Sequence, residues 1–295
     1  YMTEKGIIFK GIGGFYYVNT PSGTVECRAR GRFRRDGISP LVGDIAELEY
    51  TGDGKGFILE LEPRKNEFVR PPVANLDVLV IVISAAPPVT DLFLADTMTA
   101  VATHKNIEPV IAINKCDLDP GDMFFDIYSK SGIRCIRTSA VTGEGTEELL
   151  DALKGRIAAF SGNSGVGKSS LLNRIDPRLG IKTGPLNEKI GRGRHTTRHV
   201  ELFELPNGAI VADTPGFSSF DTTEMDLIDR KSIAPAFPEF RPFLPLCRFR
   251  ACSHVKDLGC AVRGAVEEGK IPKSRYDNYV RMWKSAAEYK EWEHK

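Results

Sequence analysis

The stretch that decides the fold is Gly162-Asn163-Ser164-Gly165-Val166-Gly167-Lys168-Ser169. An apolar strand candidate at 157–160 precedes it, and a helical segment begins directly after it at Ser170. This order is typical of a phosphate-binding loop, because the backbone N–H groups of a glycine-rich turn and a helix N-terminus converge on an anion. Lys168 is then expected to reach the β- and γ-phosphates, and the Ser169 hydroxyl to bind Mg²⁺. The pattern predicts a nucleoside triphosphate site in an α/β domain.

A second motif selects the base. Asn114-Lys115-Cys116-Asp117 follows an apolar strand candidate at 110–113. The Asp117 carboxylate can accept hydrogen bonds from guanine N1–H and from the exocyclic amine, and adenine does not offer this pair. Lys115 is expected along the base plane, and Asn114 is expected to brace the loop. A backbone N–H in Thr138-Ser139-Ala140, at the next strand end, is expected to donate to the guanine carbonyl.

GTP is therefore the predicted ligand. The residues predicted to bind it are Asn114, Lys115, Asp117, Ser139, Ala140, Gly162, Asn163, Ser164, Gly165, Val166, Gly167, Lys168, Ser169, Ser170, Asp213 and Gly216.

The γ-phosphate side of the site is predicted from two further segments. Asp213-Thr214-Pro215-Gly216 ends a strand candidate, so Asp213 is expected to hold Mg²⁺ through water and the Gly216 N–H to sense the γ-phosphate. The Gly/Arg/Thr-rich stretch 191–198 suits a segment ordered by γ-phosphate and Mg²⁺, with Thr197 the first choice as Mg²⁺ ligand and Thr196 the second.

The predicted catalytic residues are Lys168, Thr197 and His195. Phe217 stands where many related GTPases have the glutamine that orients water, and a phenyl ring cannot do this. His195 is a candidate for that task because an imidazole titrates near neutrality, and the competing interpretation is a surface histidine in a mobile loop.

A candidate metal site lies near the C-terminus. Cys247, Cys252, His254 and Cys260 supply three thiolates and one imidazole within fourteen residues, the ligand set of a closed tetrahedral Zn²⁺ site. Such an ion would also help a short, proline-rich segment to fold with little core. Buried thiols or a redox pair are the alternatives.

The first 68 residues contain short strand candidates at about ten-residue spacing, which predicts a small β-barrel of the oligonucleotide-binding type. Between two of them lies a run of five arginines around one aromatic residue. It is either a solvated charged loop or an RNA contact in which arginines bind phosphates and the aromatic ring stacks on a base. The residues concerned are Arg28, Arg30, Arg32, Phe33, Arg34 and Arg35.

Charge and composition narrow the class of protein. Residues 71–240 carry 17 Lys and Arg against 22 Asp and Glu, whereas residues 241–295 carry 12 against 7. A basic C-terminal part favours a nucleic acid or another polyanion as partner. The scattered cysteines outside the cluster suit a reducing compartment. With no signal peptide or membrane span evident, a soluble, cytoplasmic protein is expected, and we expect a monomer.

The order of the motifs is unusual, because the guanine motif precedes the phosphate loop. The ordinary order of GTPase motifs becomes this one if the original N- and C-termini are joined and the chain is opened after the 213–216 element. Together with Phe217, the β domain and the cysteine cluster, it resembles the circularly permuted, ribosome small-subunit-dependent GTPase A family (YjeQ/RsgA) over essentially the whole chain. The resemblance implies binding to the small ribosomal subunit and its rRNA, a role late in its maturation, and hydrolysis stimulated by the subunit.

The domains expected are a β-barrel at 1–68 of the oligonucleotide-binding fold, a permuted GTPase domain at 69–221 and a zinc-binding domain with a terminal helix at 222–295. Two rival functions are a metabolic kinase with a phosphate loop and an RNA-binding module with a vestigial nucleotide site. Asp117 and the 213–216 element oppose the first, and intact Lys168, Ser169 and Asp213 oppose the second.

Overall fold

The computed structural model describes residues 3–69, 71–181, 200–213 and 228–292, with side chains except at 34, 213 and 287–292. In chain order the strands and helices are β1 (Thr3–Ile12), β2 (Phe15–Thr20), β3 (Gly23–Ala29), α1 (Gly31–Arg35), β4 (Ile45–Gly52), β5 (Lys55–Leu61), β6 (Glu67–Phe68), β7 (Val73–Ala74), β8 (Val78–Ser84), α2 (Leu92–His104), β9 (Glu108–Asn114), α3 (Asp122–Lys130), β10 (Arg134–Arg137), α4 (Thr146–Leu153), β11 (Ile157–Ser161), α5 (Lys168–Ile175), β12 (Glu201–Glu204), β13 (Ile210–Asp213), α6 (Arg230–Ile233), α7 (Ala261–Glu267) and α8 (Lys273–Trp292).

The chain folds as two compact units, each assembled from segments distant in sequence. Of the described residues, the first unit contains 3–69, 71–78, 153–160 and 200–213, and the second contains 79–152, 161–181 and 228–292. No helix within these ranges is both long enough and apolar enough to cross a membrane.

The first unit contains a five-stranded barrel. It closes because β1 pairs with both β2 and β4, while β3 pairs in parallel with β5. Apolar side chains that alternate along the strands fill its interior, as the period of two in a strand requires. The core residues are Ile8, Val18, Val25, Cys27, Phe33, Ala46, Leu48 and Ile58. The predicted N-terminal β-barrel is confirmed.

The buried position of the Phe33 side chain overturns one prediction made from the sequence. The arginine-rich run folds as the short helix α1, which turns the Phe33 ring into the barrel core, where the residue is only 5% exposed. A ring held there cannot stack on a base, so the stacking interpretation of Phe33 is wrong.

Three further strands belong to the first unit. β11 pairs in parallel with β13, and β13 pairs antiparallel with β12. β12 then pairs with the barrel strand β1, where Lys10 lies opposite Glu201 and their side chains form an ion pair of 2.9 Å.

The second unit has strands in the order β10-β9-β8, with helices α2 to α5 in the same segments. All seven residues of β8 are buried, the pattern of a strand covered on both faces. The unit also contains α6, α7, α8 and several 3₁₀ turns. The predicted α/β domain and C-terminal helical segment are confirmed.

A candidate nucleotide site and a candidate metal centre

The glycine-rich loop between β11 and α5 has a backbone that only glycine tolerates at two points. Gly162 has φ +140°, and a Cβ there would lie 2.2 Å from the Val82 carbonyl oxygen. Gly167 has φ +93°, and a Cβ there would lie 2.3 Å from Asn114 Nδ2. The loop then enters α5 at Lys168 without a side-chain cap, so the first N–H groups of the helix have no side-chain acceptor at the N-cap position. This is the backbone arrangement that binds phosphate.

Asn114 joins three segments of the second unit. The side chain is 1% exposed, its Nδ2 donates to the Val166 carbonyl at 2.8 Å, and its Oδ1 accepts from the Ala140 N–H at 3.2 Å. The guanine motif, the phosphate loop and the 138–140 loop are therefore held together by one buried amide. Bracing by Asn114 was expected from the sequence, but its partners were not.

Lys168 is enclosed by its own loop. Its Nζ donates to the carbonyl oxygens of Gly162 at 2.5 Å and Asn163 at 3.0 Å. Burial lowers the pKa of the ammonium group from 10.5 to about 8. A partly buried cation whose acceptors among the described residues are both neutral carbonyl groups favours an incoming anion, because a phosphate would compensate its lost hydration.

The guanine motif at 114–117 lies in the same unit as the phosphate loop, and two of its polar side chains have defined partners. Asp117 Oδ1 accepts from the Ser139 hydroxyl at 2.6 Å, which fixes the carboxylate beside the 138–140 loop. Lys115 has φ +67°, and its Nζ donates to the Pro87 carbonyl at 2.9 Å.

Several predicted site residues cannot be placed. His195, Thr197 and Gly216 lie outside the described residues, as does the side chain of Asp213, whose backbone ends β13.

The cysteine cluster is assembled as its spacing predicted. The ligand atoms of Cys247, Cys252, His254 and Cys260 lie within 4.8 Å of one another. His254 Nδ1 is 3.5 Å from the sulfurs of both Cys247 and Cys260. Bonds of about 2.3 Å to sulfur and about 2.0 Å to nitrogen place S and N about 3.5 Å apart across a tetrahedral angle. The residues therefore fit a tetrahedral metal ion.

Burial affects the ionisation of the groups in the cluster. Burial raises the pKa of the Cys252 and Cys260 thiols and lowers the pKa of the His254 imidazole. A neutral imidazole is the form that binds metal, and the thiols need a nearby cation to be ionised.

Helix α8 is hydrogen-bonded to the backbone of the cysteine cluster. The hydroxyls of Tyr279 and Tyr276 donate to the carbonyls of Ser253 at 2.6 Å and His254 at 2.8 Å. The sequence predicted a terminal helix here, but not its two hydrogen bonds to the cluster.

The same helix contains a buried arginine. Arg275 is 0% exposed and donates to Asp96 Oδ1 at 2.9 Å, Thr99 Oγ1 at 2.8 Å and Glu239 Oε1 at 2.7 Å. Asn278 completes the environment by donating to Asp96 Oδ2 at 2.6 Å. Sequence reasoning missed this network, because arginine is usually exposed and only the exact register of α8 against α2 reveals its partners.

Some of the arginines of the run at 28–35 form ion pairs with acidic side chains. Arg30 forms an ion pair with Glu49, and Arg32 lies 3.4 Å from Glu60. Arg28 stacks on the Phe15 ring at 4.4 Å. Arg35 is 80% exposed with Asp36 at 3.6 Å, and the Arg34 side chain is outside the described part of the chain.

The fold and the site define a class. A barrel precedes an α/β unit whose guanine-type loop comes before the phosphate loop in the chain, the arrangement of a circularly permuted phosphate-loop GTPase. A family model described as RsgA GTPase matches residues 61–223, and one described as RsgA N-terminal domain matches residues 5–58. The chain belongs to the RsgA GTPase family and is therefore a GTP hydrolase, which implies Mg²⁺ bound with GTP.

Individual relatives cover nearly the whole chain. The "Small ribosomal subunit biogenesis GTPase RsgA" of Caldanaerobacter subterraneus is 48% identical, covering 96% of this chain and 96% of the relative. The protein of the same name in Geobacillus kaustophilus is 45% identical, with 94% and 95% covered.

Solved structures show the same fold. YjeQ from Thermotoga maritima superimposes with a TM-score of 0.84 at 35% identity, covering 97% of this chain and 99% of that one. YloQ, described as a circularly permuted GTPase, has a TM-score of 0.81 at 35% identity, with 98% and 96% covered. The circular permutation expected from the motif order is confirmed.

Proposed function

We propose that this protein is a GTP-hydrolysing factor that binds the small ribosomal subunit, is stimulated by it, and acts late in its maturation. The relatives' name, small ribosomal subunit biogenesis GTPase, supports this choice of partner. The observation that carries the chemistry is the buried Asn114 amide, which holds the phosphate loop at Val166 and the 138–140 loop at Ala140. Because one side chain holds these loops together, the groups that read the base and those that bind phosphate can contact the same nucleotide.

In the proposed site, Asp117 reads the guanine edge, a backbone N–H at Ser139 or Ala140 meets the guanine carbonyl, and residues 162–170 enclose the phosphates. Lys168 faces the β- and γ-phosphates and stabilises the charge that develops on them during hydrolysis. Ser169, Thr197 and Asp213 are proposed to hold Mg²⁺ directly or through water. When bound, the ion would supply positive charge that offsets the negative charge of the phosphates.

His195 is proposed to orient the attacking water, since Phe217 cannot. Its role is tested by single-turnover hydrolysis with His195→Ala, with and without small subunits. Unchanged rates under both conditions would remove His195 from the mechanism.

Base recognition is tested with Asp117→Asn. An amide can donate to a carbonyl group, so the variant is expected to lose GTP and to gain xanthosine triphosphate, whose exocyclic oxygen replaces the guanine amine. Retained preference for GTP would show that another residue reads the base. Asp119→Asn is a matched control two residues away, where the carboxylate accepts from the Gly121 N–H.

The cysteine cluster is proposed to hold one structural Zn²⁺ ion. Three thiolates and one imidazole leave no open ligand position for catalysis. The ion would fix the turn at 247–260, against which the tyrosines of α8 are hydrogen-bonded.

The partner is proposed to be the rRNA of the small subunit. The basic part at 241–295 and the exposed arginine Arg35 of the barrel supply cations for phosphate contacts, with Arg28, Arg30, Arg32 and Arg34 in the same run. Ion pairs with Glu49 and Glu60 compete for two of these arginines, so they must exchange partners on binding. We propose the barrel at 1–68, the GTPase domain at 69–221 and the metal-binding domain at 222–295 as the units of a cytoplasmic monomer.

The permuted order offers a physical reason why the bound nucleotide could control binding to the small subunit. Opening the chain after 213–216 joins the metal-binding domain directly to the segment expected to sense the γ-phosphate, so nucleotide state is expected to change affinity for the subunit. The test is sedimentation with isolated small subunits in a non-hydrolysable GTP analogue and in GDP. Equal affinity in the two nucleotides would overturn the switch.

A further inference from the structure

We propose that residues 85–89 form a further wall of the nucleotide site, which positions Lys115 and supports the turn of the phosphate loop at Gly165. The inference rests on the proposed function, because it assigns these residues to that nucleotide site. The segment matched none of the motifs recognised in the sequence.

The segment is a loop closed at its base by a reciprocal pair of bonds. Ser84, the last residue of β8, donates its N–H to Thr90 Oγ1 at 2.9 Å, and the Thr90 N–H donates back to the Ser84 carbonyl at 3.2 Å. The Ser84 hydroxyl also bonds the Ala86 carbonyl at 2.5 Å. Ser84 is 0% exposed and Thr90 is 6% exposed, so water does not replace these bonds easily. The loop therefore has a fixed shape where it leaves the sheet.

The loop touches the guanine motif at one point and the phosphate loop at another. The Pro87 carbonyl accepts from Lys115 Nζ, and a Cβ at Gly165 would lie 3.0 Å from Pro88 Cγ. Gly165 itself has φ +81°. A single rigid loop thus limits both the direction of the Lys115 side chain and the space above the phosphate turn.

The direction of the Lys115 side chain determines how it can contact the face of the guanine base. A lysine whose ammonium group is held at one end lays its methylene chain in one direction, which is what stacking along a purine plane requires. Pro87 acts through its backbone carbonyl and Thr90 through loop closure, so both are positioning residues and neither is a catalytic residue.

Thr90→Val tests the proposal, because it keeps the shape of the side chain and removes the acceptor for the Ser84 N–H. Thr90→Ser keeps the acceptor, and Thr103→Val is a matched control that loses a hydroxyl bond to the Thr99 carbonyl at the other end of α2. Binding of a fluorescent GDP, KM and kcat for GTP, and thermal unfolding are measured for each.

The expected result is an increase of about 3- to 10-fold in the GDP dissociation constant and in KM for Thr90→Val, the equivalent of one net hydrogen bond. The value of kcat at saturating GTP stays unchanged. Thr90→Ser and Thr103→Val are expected to stay within about twofold of the parent. In a Lys115→Met background, Thr90→Val is expected to add less than about twofold, because its effect acts through Lys115.

Two results would overturn the assignment: parental affinity in Thr90→Val, or the same loss of affinity with and without Lys115. If Thr90→Val unfolds too readily to assay, Pro88→Ala removes the ring above Gly165 and leaves the closing bonds intact. The same rise in the GDP dissociation constant with unchanged kcat is then expected, and because this contact does not involve Lys115, the rise is expected to persist in the Lys115→Met background. Parental affinity in Pro88→Ala would overturn the assignment. A parent that binds no guanine nucleotide would instead overturn the proposed function itself.

Discussion

Raising the pH from 7 to 9 is expected to weaken guanine-nucleotide binding about tenfold, because Lys168 loses its proton in the free protein over this range. Burial lowers the pKa of Lys168 to about 8. In the complex, the phosphates next to Nζ hold the ammonium group in its charged form and raise its pKa again. Affinity is therefore fully present only well below pH 8, and it falls as the pH rises through the pKa of the free protein towards the pKa in the complex.

The magnitude follows from the fraction of Lys168 that is protonated in the free protein. With a pKa of about 8, this fraction falls from about 0.9 at pH 7 to about 0.1 at pH 9. A lysine with the ordinary pKa near 10.5 would stay almost fully protonated, and affinity would change by less than about 1.1-fold. The two cases differ enough for one titration to separate them.

The assay is equilibrium binding of a fluorescent GDP across this pH range, with calorimetry at pH 8 in buffers of different ionisation enthalpy. About half a proton is expected to be taken up per nucleotide at pH 8. Lys168→Arg is the control, because guanidinium stays charged and the variant retains any contribution from the titration of guanine itself. Affinity that is flat from pH 7 to 9 in the parent, or a fall of equal size in Lys168→Arg, would refute the reasoning.

Three further predictions concern the scaffold. Arg275→Met leaves two buried carboxylates without their cation and is expected to lower the free energy of unfolding in urea by about 3–5 kcal/mol; a loss below about 1 kcal/mol would show that the network is not what holds α8. Gly145→Ala is expected to destabilise clearly more than Gly155→Ala: both residues have φ near +70°, but a Cβ at Gly145 would lie 1.8 Å from the Arg137 carbonyl and Gly155 faces open space. Gly155→Ala is expected to cost about 1 kcal/mol in the same assay, and equal losses would mean that the neighbouring backbone yields. The purified protein is expected to contain one Zn²⁺ per chain by atomic emission, and Cys252→Ser to lose it with a lower Tm; unchanged metal content in the variant would contradict the proposed ligand set.

The local features of the fold were predictable from the sequence. A phosphate loop needs a strand, glycines at positive φ and a helix within about fifteen residues, and all of these are visible in one short stretch. The cysteine cluster was predictable for the same reason, since all four ligands lie within fourteen residues.

The features that depend on distant contacts were not predictable. Phe33 was misjudged because five arginines suggested an exposed loop, whereas a short helix directs the single aromatic side chain of the run into the barrel. The burial of Arg275 depends on partners about 36 and 179 positions earlier in the chain, which no spacing rule connects. The loop closed by Ser84 and Thr90 has ordinary residues, and its importance comes from its contacts with Lys115 and Gly165.

The central claim is tested most directly by the rate of GTP hydrolysis measured with the protein alone, with isolated small subunits, with large subunits and with intact ribosomes. Slow intrinsic hydrolysis is expected, because Phe217 cannot orient water, together with strong stimulation by the small subunit and much weaker stimulation by the large subunit. Equal rates under all four conditions, or stimulation by the large subunit alone, would contradict the account.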